Sequence, residues 1–474
     1  MKSSDKAAVR IAMTVGQAGS HEGQLKTVAH ESGLNSDAPQ VELTTRIGKI
    51  HADFTIGADI TGCNDLQANE KLCSKGFMLC GSGFIVTPDQ AAGLGLSKVK
   101  GLEEFIRPYR NGRDLSDHPR GVMVIDLFGL TADDVQKRFP KVFQWVVDRV
   151  KPEREHNNRN YRRLNWWLLG ENYPNFRALL ACLPRYIATI ETAKHRYFQF
   201  LDATIRPDNK LVNIGTDDAF HLGVLSSRIQ VVYVLAAGGR LGVGNDPVYV
   251  KTSCFDPFPF PTADGTQKAR IRDLGERLDK HRKDVMANHK QLTMTGMYNV
   301  LEKVRAKEVL TDADQDVYDA GLIGVLKSIH DDLDAAVAEA YGWPAALSDA
   351  AILERLVALN HERAAEEADG KVRWLRPEFQ APKEAAAKKA KQIEAALPLP
   401  DAGAAKPKFP SKLPEQVAAI RTMLEAQGTA VTSADLARRF AQGKRAEKKV
   451  EDILTTLCLL GQAEKVGDGF VLGG

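Results

Sequence analysis

Between Pro377 and Pro414 the chain reads PEFQAPKEAAAKKAKQIEAALPLPDAGAAKPKFPSKLP, a run dominated by Ala, Lys and Pro. Such a composition cannot bury a core, so residues 377–414 are expected to be a linker with helix only in their first half. Whatever folds must therefore fold on one side of it or the other. Beyond it, Glu415–Gln427, Ser433–Phe440 and Ala446–Leu460 carry helical periodicity, and AEKV-GDG-FVL predicts a hairpin turning at Gly467-Asp468-Gly469. Three helices and a hairpin are the parts of a winged helix, with Val450, Ile453, Leu454, Leu457 and Leu460 facing its core. Lys444, Arg445, Lys448 and Lys449 would then open the third helix, where such folds meet DNA. Winged helices also dock proteins, and both uses stay open.

Ahead of the linker, a stretch this long exceeds one ordinary core. Apolar, β-branched runs predict strands at Val9–Val15, Asp53–Ile56, Phe84–Val86, Val122–Phe128, Tyr186–Thr192 and Leu211–Ile214. Helices are expected at Ala132–Asp148, Ala219–Ala237, Thr266–Asn288, Met297–Ala306, Asp312–Tyr341 and Ser348–Ala368, with Thr311 and Ser348 as N-caps and Gly342 as a stop. The fold class is α+β and multidomain: a mixed α/β region, a helical region and a small winged-helix tail.

Composition narrows the setting. Hydrophobic residues make up 43% and charged residues 26%, as in soluble globular proteins. No stretch approaches the roughly 20 apolar residues of a membrane span, and MKSSDKAAVR lacks a signal core. Six scattered cysteines read as reduced thiols, so a cytoplasmic protein without a membrane partner is expected. A net charge of +3 names no ligand, but its distribution is uneven. RVKPEREHNNRNYRR (Arg149–Arg163) sets six Lys/Arg against two Glu, and a second cluster holds Arg438, Arg439, Lys444, Arg445, Lys448 and Lys449. Two basic clusters in separate regions favour nucleic acid.

Several chemistries are unsupported. Cys73 and Cys80 are seven apart, with no metal-ligand spacing, and Asp331, Asp332 and Asp334 on one helix read as a solvated face. Gly81-Ser82-Gly83 and the Gly239, Gly242, Gly244 group read as turns, since neither precedes the helix and acidic strand end that a nucleotide-like cofactor needs. KTSCFDPFPFP (Lys251–Pro261) resembles the polar-Pro-Pro-aromatic loop of enzymes that methylate a base's exocyclic amine on a flipped nucleotide. Phe258 breaks its proline pair, however. Pro257, Pro259 and Pro261 enforce an extended path, and Phe255, Phe258 and Phe260 can anchor it in a groove. The stretch reads as a structural strap, not a catalytic loop.

Longer motifs carry a family resemblance. IRPYRNGRDL (Ile106–Leu115), GVMVIDLFGLT (Gly121–Thr131), NWWLLGENYPNFRALLACLPRYIATIETAKHRYFQFL (Asn165–Leu201) and PDNKLVNIGTDDAFHLGVLSSRIQVVYVLAAGGRLG (Pro207–Gly242) head the set. CFDPFPFP (Cys254–Pro261), LTMTGMYNVLEKVRA (Leu292–Ala306) and RWLRPEFQAP (Arg373–Pro382) complete it. Together they resemble the C-terminal half of the MmeI-like (type IIL) restriction–modification proteins, class I DNA methyltransferases that modify adenine N6 with S-adenosylmethionine.

The resemblance implies the end of a methyltransferase-like domain at 1–50, a DNA target recognition domain at 51–262 and a helical C-terminal domain at 263–376. The linker follows at 377–414 and the winged-helix-like domain at 415–474. The nuclease motif, cofactor motif and Pro-Pro-aromatic loop of that family are missing here. The expected role is therefore sequence recognition of double-stranded DNA. No catalytic, metal or cofactor residue is expected in this chain, and a methyltransferase-core polypeptide acting in trans would hold S-adenosylmethionine. Two alternatives stay open: a self-sufficient methyltransferase with an unrecognised motif, and a winged-helix regulator.

For DNA contact the residues proposed are as follows. Arg107, Arg110, Asn111 and Arg113 surround an Asn-Gly turn, whose alternative is a structural turn with Arg113 satisfied by Asp114. Lys194, His195 and Arg196 join two strands. A basic loop at Arg159–Arg163 beside core tryptophans Trp166 and Trp167 could follow the backbone. Arg240 follows a helix end in a glycine-rich loop and is the expected base reader, with Asn245, Asp246 and Lys251 nearby. Arg445, Lys448 and Lys449 serve in the tail.

Overall fold

The structure, a computed structural model, describes residues 12–19, 21–33, 40–51, 54–241, 246–381, 409–410, 413–427, 431–441, 446–459, 463–466 and 469–472. It forms two units, Met1–Ala385 and Ala386–Gly474, and its class is the expected α+β.

The first unit opens on an antiparallel ribbon of β1 (Gly23–Ser32) and β2 (Gln40–Gly48), which no strand signal predicted. Val28 lies opposite Leu43, and Gln24 opposite Ile47. Paired residues, and residues two apart, share a face. Val28, Val41, Leu43 and Ile47 thus line one face of the ribbon, and all are exposed, from 47% at Val41 to 62% at Ile47. The strand expected at Val9–Val15 falls partly outside the described residues, and residues 12–15 have no regular structure. That at Asp53–Ile56 reduces to one bridge between Ile50 and Ile56.

Eight strands then build two sheets: β3 (Cys73–Lys75), β4 (Ile85–Val86), β5 (Ile106–Arg110), β6 (Met123–Ile125), β7 (Arg185–Ile190), β8 (Gln199–Asp202), β9 (Arg206–Pro207) and β10 (Leu211–Ile214). Their orders are β3-β10-β7-β8 and β4-β6-β5-β9. Only β5 and β9 pair in parallel. β11 (Gly239–Leu241) and β12 (Asp246–Val248) form a small antiparallel pair that touches the chain just after β7 through a bridge from Val248 to Thr192.

The helices are α1 (Pro88–Leu94), α2 (Gly112–Ser116), α3 (Ala132–Arg138), α4 (Pro140–Arg149), α5 (Lys151–Glu155), α6 (Asn160–Leu164), α7 (Pro174–Leu180), α8 (Ala219–Ser226), α9 (Arg228–Ala237) and α10 (Gly265–Asn288). They continue with α11 (Met294–Ala306), α12 (Asp312–Ala320), α13 (Ile323–Tyr341), α14 (Asp349–Ala368) and α15 (Pro377–Gln380). Three expected long helices are each broken. Pro140 drives Phe139 out of helical geometry, Ser227 is extended, and left-handed Leu322 (φ 46°) separates α12 from α13. The expected caps hold: Thr311 forms a capping box with Asp314, Ser348 accepts from the Ala351 amide, and Gly342 takes φ 70°.

Buried side chains from Ile60 to Leu356 form one continuous cluster, so the boundary expected at 262/263 runs through a shared core. Helices α8 and α10 meet closely there. A Cβ at Gly275 would lie 2.4 Å from the Ala219 carbonyl oxygen. The chain also returns to this core at α15, where Gln380 donates to the Ala68 and Glu70 carbonyls at 2.9 and 2.8 Å. The first residues of the expected linker therefore belong to the body, and 382–408 lie outside the described residues.

The phenylalanine–proline stretch is anchored by its aromatics as expected, but its path is not extended throughout: Asp256 is helical and the Phe258 amide donates to the Phe255 carbonyl at 3.1 Å. After a π-helical turn at Lys251–Phe255 it runs without regular structure, with Phe255 and Phe258 fully buried. The Asn69 side-chain Nδ2 donates to the carbonyls of Phe255, Asp256 and Phe258 at 2.9, 2.9 and 2.8 Å. Asn360 on α14 donates to that of Pro257 at 2.6 Å, and the Tyr341 hydroxyl to that of Pro259 at 2.8 Å.

The second unit has α16 (Leu413–Gln427), α17 (Ser433–Ala437) and α18 (Glu447–Leu459), then a hairpin of β13 (Ala463–Val466) and β14 (Gly469–Leu472). Val431, between the first two helices, bridges to Phe470 of the hairpin. Val450, Ile453, Leu454 and Leu457 are buried as expected, while Leu460 lies outside the described residues. No single helix among the described residues is long and apolar enough to cross a membrane. The apolar pair α8–α9 is bent by 62° and lies mostly within the core.

Candidate nucleic-acid interface

Strand β7 ends at Ile190, and the chain turns through Glu191–His195 towards β8. Segments distant in sequence converge on this corner. From β12, Val248 bridges to Thr192, the Ala193 amide donates to the Pro247 carbonyl at 3.3 Å, and the Tyr249 amide donates to the Glu191 carbonyl at 2.7 Å. β12 in turn sets Arg240 of β11 opposite Pro247. Helix α2 approaches from another side, so closely that a Cβ on Gly112 would sit 3.2 Å from Ile190 Cγ2. From the turn between β9 and β10 come Asp208 and Lys210: the Asp208 amide donates to the Arg110 carbonyl at 2.8 Å, and the Glu191 amide to that of Lys210 at 2.8 Å. Helix α11 closes the corner with Asn299, whose Oδ1 accepts from Lys194 Nζ at 2.6 Å.

Several proposed contact residues keep exposed cationic groups here. Arg113 projects from α2 with its side chain 76% exposed, its nearest carboxylate Asp117 at 3.9 Å. Lys194 and Arg240 are exposed, the latter donating to the Leu235 carbonyl at 3.4 Å. Lys251 is half-buried and pairs with Asp256 at 2.5 Å. Arg110 lines a neighbouring cleft with His118, Gln199 and Met286.

Other expectations need correction. Asn111-Gly112 is not a turn that presents arginines. Asn111 is the N-cap of α2, its side chain accepting from the Asp114 amide while Asp114 accepts from the Asn111 amide, so its side chain is committed to the helix. Asp114 satisfies Arg120, not Arg113, through two parallel hydrogen bonds of 2.9 and 2.8 Å. Arg107 donates back to the Glu104 carbonyl at 3.4 Å. Arg240 lies in a strand, not a loop.

The Lys194-His195-Arg196 triplet divides by burial. His195 is buried between Asn299 and Glu302, at 2.8 and 3.2 Å. Arg196 is buried and donates to Thr189 Oγ1 at 3.0 Å, to the Pro247 carbonyl at 3.2 Å and to the Ile190 carbonyl. It ties β7 to the β11–β12 pair rather than facing solvent. In the Arg159–Arg163 segment, Arg159 and Arg162 both pair with Glu171, and Trp166 and Trp167 pack against the core as expected. Asn245 and Arg445 lie outside the described residues; Lys448 and Lys449 are exposed on α18.

Two cations at the corner went unnoticed in the sequence. Lys75 Nζ pairs with Glu191 Oε1, and Lys210 Nζ with Glu191 Oε2 at 2.9 Å. Burial works to raise the Glu191 carboxyl, but the hydrogen bonds and charges of the two lysines outweigh it and hold the group below the ordinary glutamate range. Lys75 lies outside the quoted motifs and Lys210 within the one that starts at Pro207, and the pairing of β10 with both β3 and β7 unites them.

Gly83 serves chain crossing, since a Cβ there would lie 2.5 Å from the Arg149 carbonyl oxygen, and Gly239 belongs to β11. Among the described residues of the two glycine groups, none opens an α-helix: Gly81–Gly83 lead through a short 3-10 turn into β4. Among the described residues no group of three His, Cys, Asp or Glu side chains is suited to a metal.

No family model and no curated protein matches the chain. Among solved structures it is similar to the type IIL restriction–modification enzyme MmeI in complex with DNA, at 15% identity and a TM-score of 0.52. The match covers 72% of this chain and 42% of that one, so the chain spans less than half of the enzyme's length. What the two have in common is a fold.

Proposed function

We propose that this chain is the DNA sequence-recognition portion of an adenine-N6 restriction–modification methyltransferase, with the methyl donor held by a separate polypeptide. The observation that carries the reading is the corner after β7, on which α2, the 191–195 turn and the β11–β12 pair converge, each contributing one exposed cation: Arg113, Lys194 and Arg240. Phosphate contacts fix register and base-edge contacts supply sequence, so such a surface needs cations of both uses. Arg113 and Lys194 suit phosphates, and Arg240 is assigned to a base edge. The fold it has in common with an enzyme solved on DNA is consistent with this use.

A partner is favoured by the ribbon. Isolated two-stranded ribbons are marginal in water, and this one turns Val28, Val41, Leu43 and Ile47 outward on a single face. A methyltransferase core would cover it. We read the second unit as a winged helix whose Lys448 and Lys449 add phosphate contacts.

The test is selection of bound duplexes from a random pool by the purified full chain, followed by incubation of those duplexes with labelled S-adenosylmethionine. A recovered consensus without labelling supports the division of labour. Labelled adenines without any partner would refute it, and a pool with no enrichment would refute the recognition role.

A further inference from the structure

We propose that Lys75 and Lys210, spaced by Glu191, form a clamp for one backbone phosphate of the DNA, an inference that rests on reading the β7 corner as a DNA interface. The three residues come from neighbouring strands: Lys75 ends β3, Lys210 precedes β10, and Glu191 follows β7. Each lysine takes a different oxygen of the carboxylate. The carboxylate side chain is only 11% exposed, whereas those of Lys75 and Lys210 are 50% and 68% exposed.

Neutralising a nearly buried glutamate needs one cation. Glu191 takes two, Lys75 and Lys210, and the further carboxylate beside them, Asp208, is itself held by the Tyr109 hydroxyl and by the Lys210 amide at 2.9 Å. An ammonium has three N–H donors. Each lysine gives one to Glu191, leaving donors on the exposed side that can converge on a single anion.

The cluster is also held in place before any ligand arrives. The Glu191 amide donates to the Lys210 carbonyl at 2.8 Å, its carbonyl accepts from Tyr249 at 2.7 Å, and the Lys210 amide donates to Asp208 Oδ1 at 2.9 Å. Flexible lysines lose conformational freedom on contacting a phosphate. Here much of that loss is already met by the ion pairs, which favours binding. A lysine presents a compact charge rather than a fork, so it suits a phosphate and cannot distinguish bases. The clamp should therefore act on every sequence alike.

The experiment compares duplex binding by the wild-type full chain and the Lys75→Gln/Lys210→Gln variant across a chloride series, on the selected site and on random DNA. Thermal unfolding runs in parallel. Losing one phosphate contact should lower the slope of log affinity against log salt by about 0.9 and weaken binding roughly three- to tenfold on both duplexes. Inorganic phosphate at matched ionic strength should compete no better than chloride; strong competition would mean a free-anion site and overturn the assignment to DNA.

An unchanged slope with an unchanged melting temperature would also overturn the clamp while leaving the recognition reading intact. A loss confined to the selected site would mean base reading instead, and would equally overturn it. If the double variant misfolds, Lys210→Gln alone, altered at an exposed turn, answers the same question. A wild-type chain that binds no duplex at low salt would remove both the clamp and the reading beneath it.

Discussion

The strap after Phe255 and the ribbon of β1 and β2 both carry closely spaced apolar side chains, and they end in opposite surroundings. In the strap, Phe258 is fully buried and the carbonyls of residues 255–259 are met by Asn69, Asn360 and Tyr341. In the ribbon, backbone groups pair only across the two strands, and four aliphatic side chains face solvent. The difference is one of cover. The strap's aromatic side chains are enclosed by the core of the first unit, whereas among the described residues the aliphatic face of the ribbon is left exposed.

The comparison breaks first at Asn360. Its side chain donates to the Pro257 and Asn64 carbonyls and accepts from the Asn64 amide, and it is fully buried. Asn360→Ala leaves these groups unpaired, at roughly 1–3 kcal/mol for a buried group without a partner. A total loss of about 3 kcal/mol is expected in denaturant unfolding of the chain. A loss below about 1 kcal/mol would mean that the strap is held without Asn360.

Arg196 and Lys194 sharpen the same contrast within one triplet. Arg196→Ala removes a buried guanidinium from the Pro247 and Ile190 carbonyls and should cost about 2–3 kcal/mol. Lys194→Ala, at an exposed position, should change stability by less than about 0.5 kcal/mol and instead weaken DNA binding. Equal effects of the two on stability would remove the distinction between tie and contact.

The triplet also shows how much the sequence could tell. Caps and strands with local signals were legible: Thr311 and Ser348, the buried run Leu211–Ile214, the aromatic anchors of the strap and the helices of the tail. Burial of Arg196 was not, because its acceptors are backbone carbonyls, which any residue supplies. The broken helices were missed for a related reason. Apolar side chains continue across Phe139 and Ser227, and only backbone geometry interrupts them. The ribbon escaped because GQLKTVAHES mixes polar and apolar residues without a clear period. The candidate site was legible as separate cations and not as a corner, since its assembly depends on pairings between residues far apart in sequence.

A smaller effect comes from pH. Asp334, expected on a solvated face, instead accepts from the Arg228 amide at 2.6 Å and caps α9, whose own Ser227 makes no such bond. Burial pushes its carboxyl up to about 6, against the opposing pulls of the Arg228 amide and the Arg305 charge, with Asp331 adding to the rise. A carboxyl raised above its unfolded value contributes stability that is complete below about pH 4 and lost as pH rises through 6. Reduced for a side chain 24% exposed, the contribution is roughly 2 kcal/mol. Asp334→Asn should flatten the stability profile between pH 4 and 7, as read by thermal melts. A profile unchanged by the substitution would place the carboxyl in solvent, as its neighbours on that helix suggested.

The smallest expected effect tests the other side of the comparison. Replacing Val28 and Leu43, which face each other on the open side of β1 and β2, by Thr keeps the β-branched shape at one position and strand preference at both. It removes apolar surface that is already in water, so the isolated chain should change in stability by less than about 0.5 kcal/mol. Its self-association at high concentration should fall, since a strand pair with an apolar exposed face is a site for unwanted pairing. Destabilisation on the scale of Asn360→Ala would mean that the ribbon is already covered in the isolated chain, and the asymmetry between the two regions would disappear. With no such loss, the same substitution becomes the control for any catalytic polypeptide found to bind. Association that survives it must use another surface, whereas association lost with the fold intact assigns the interface to this face.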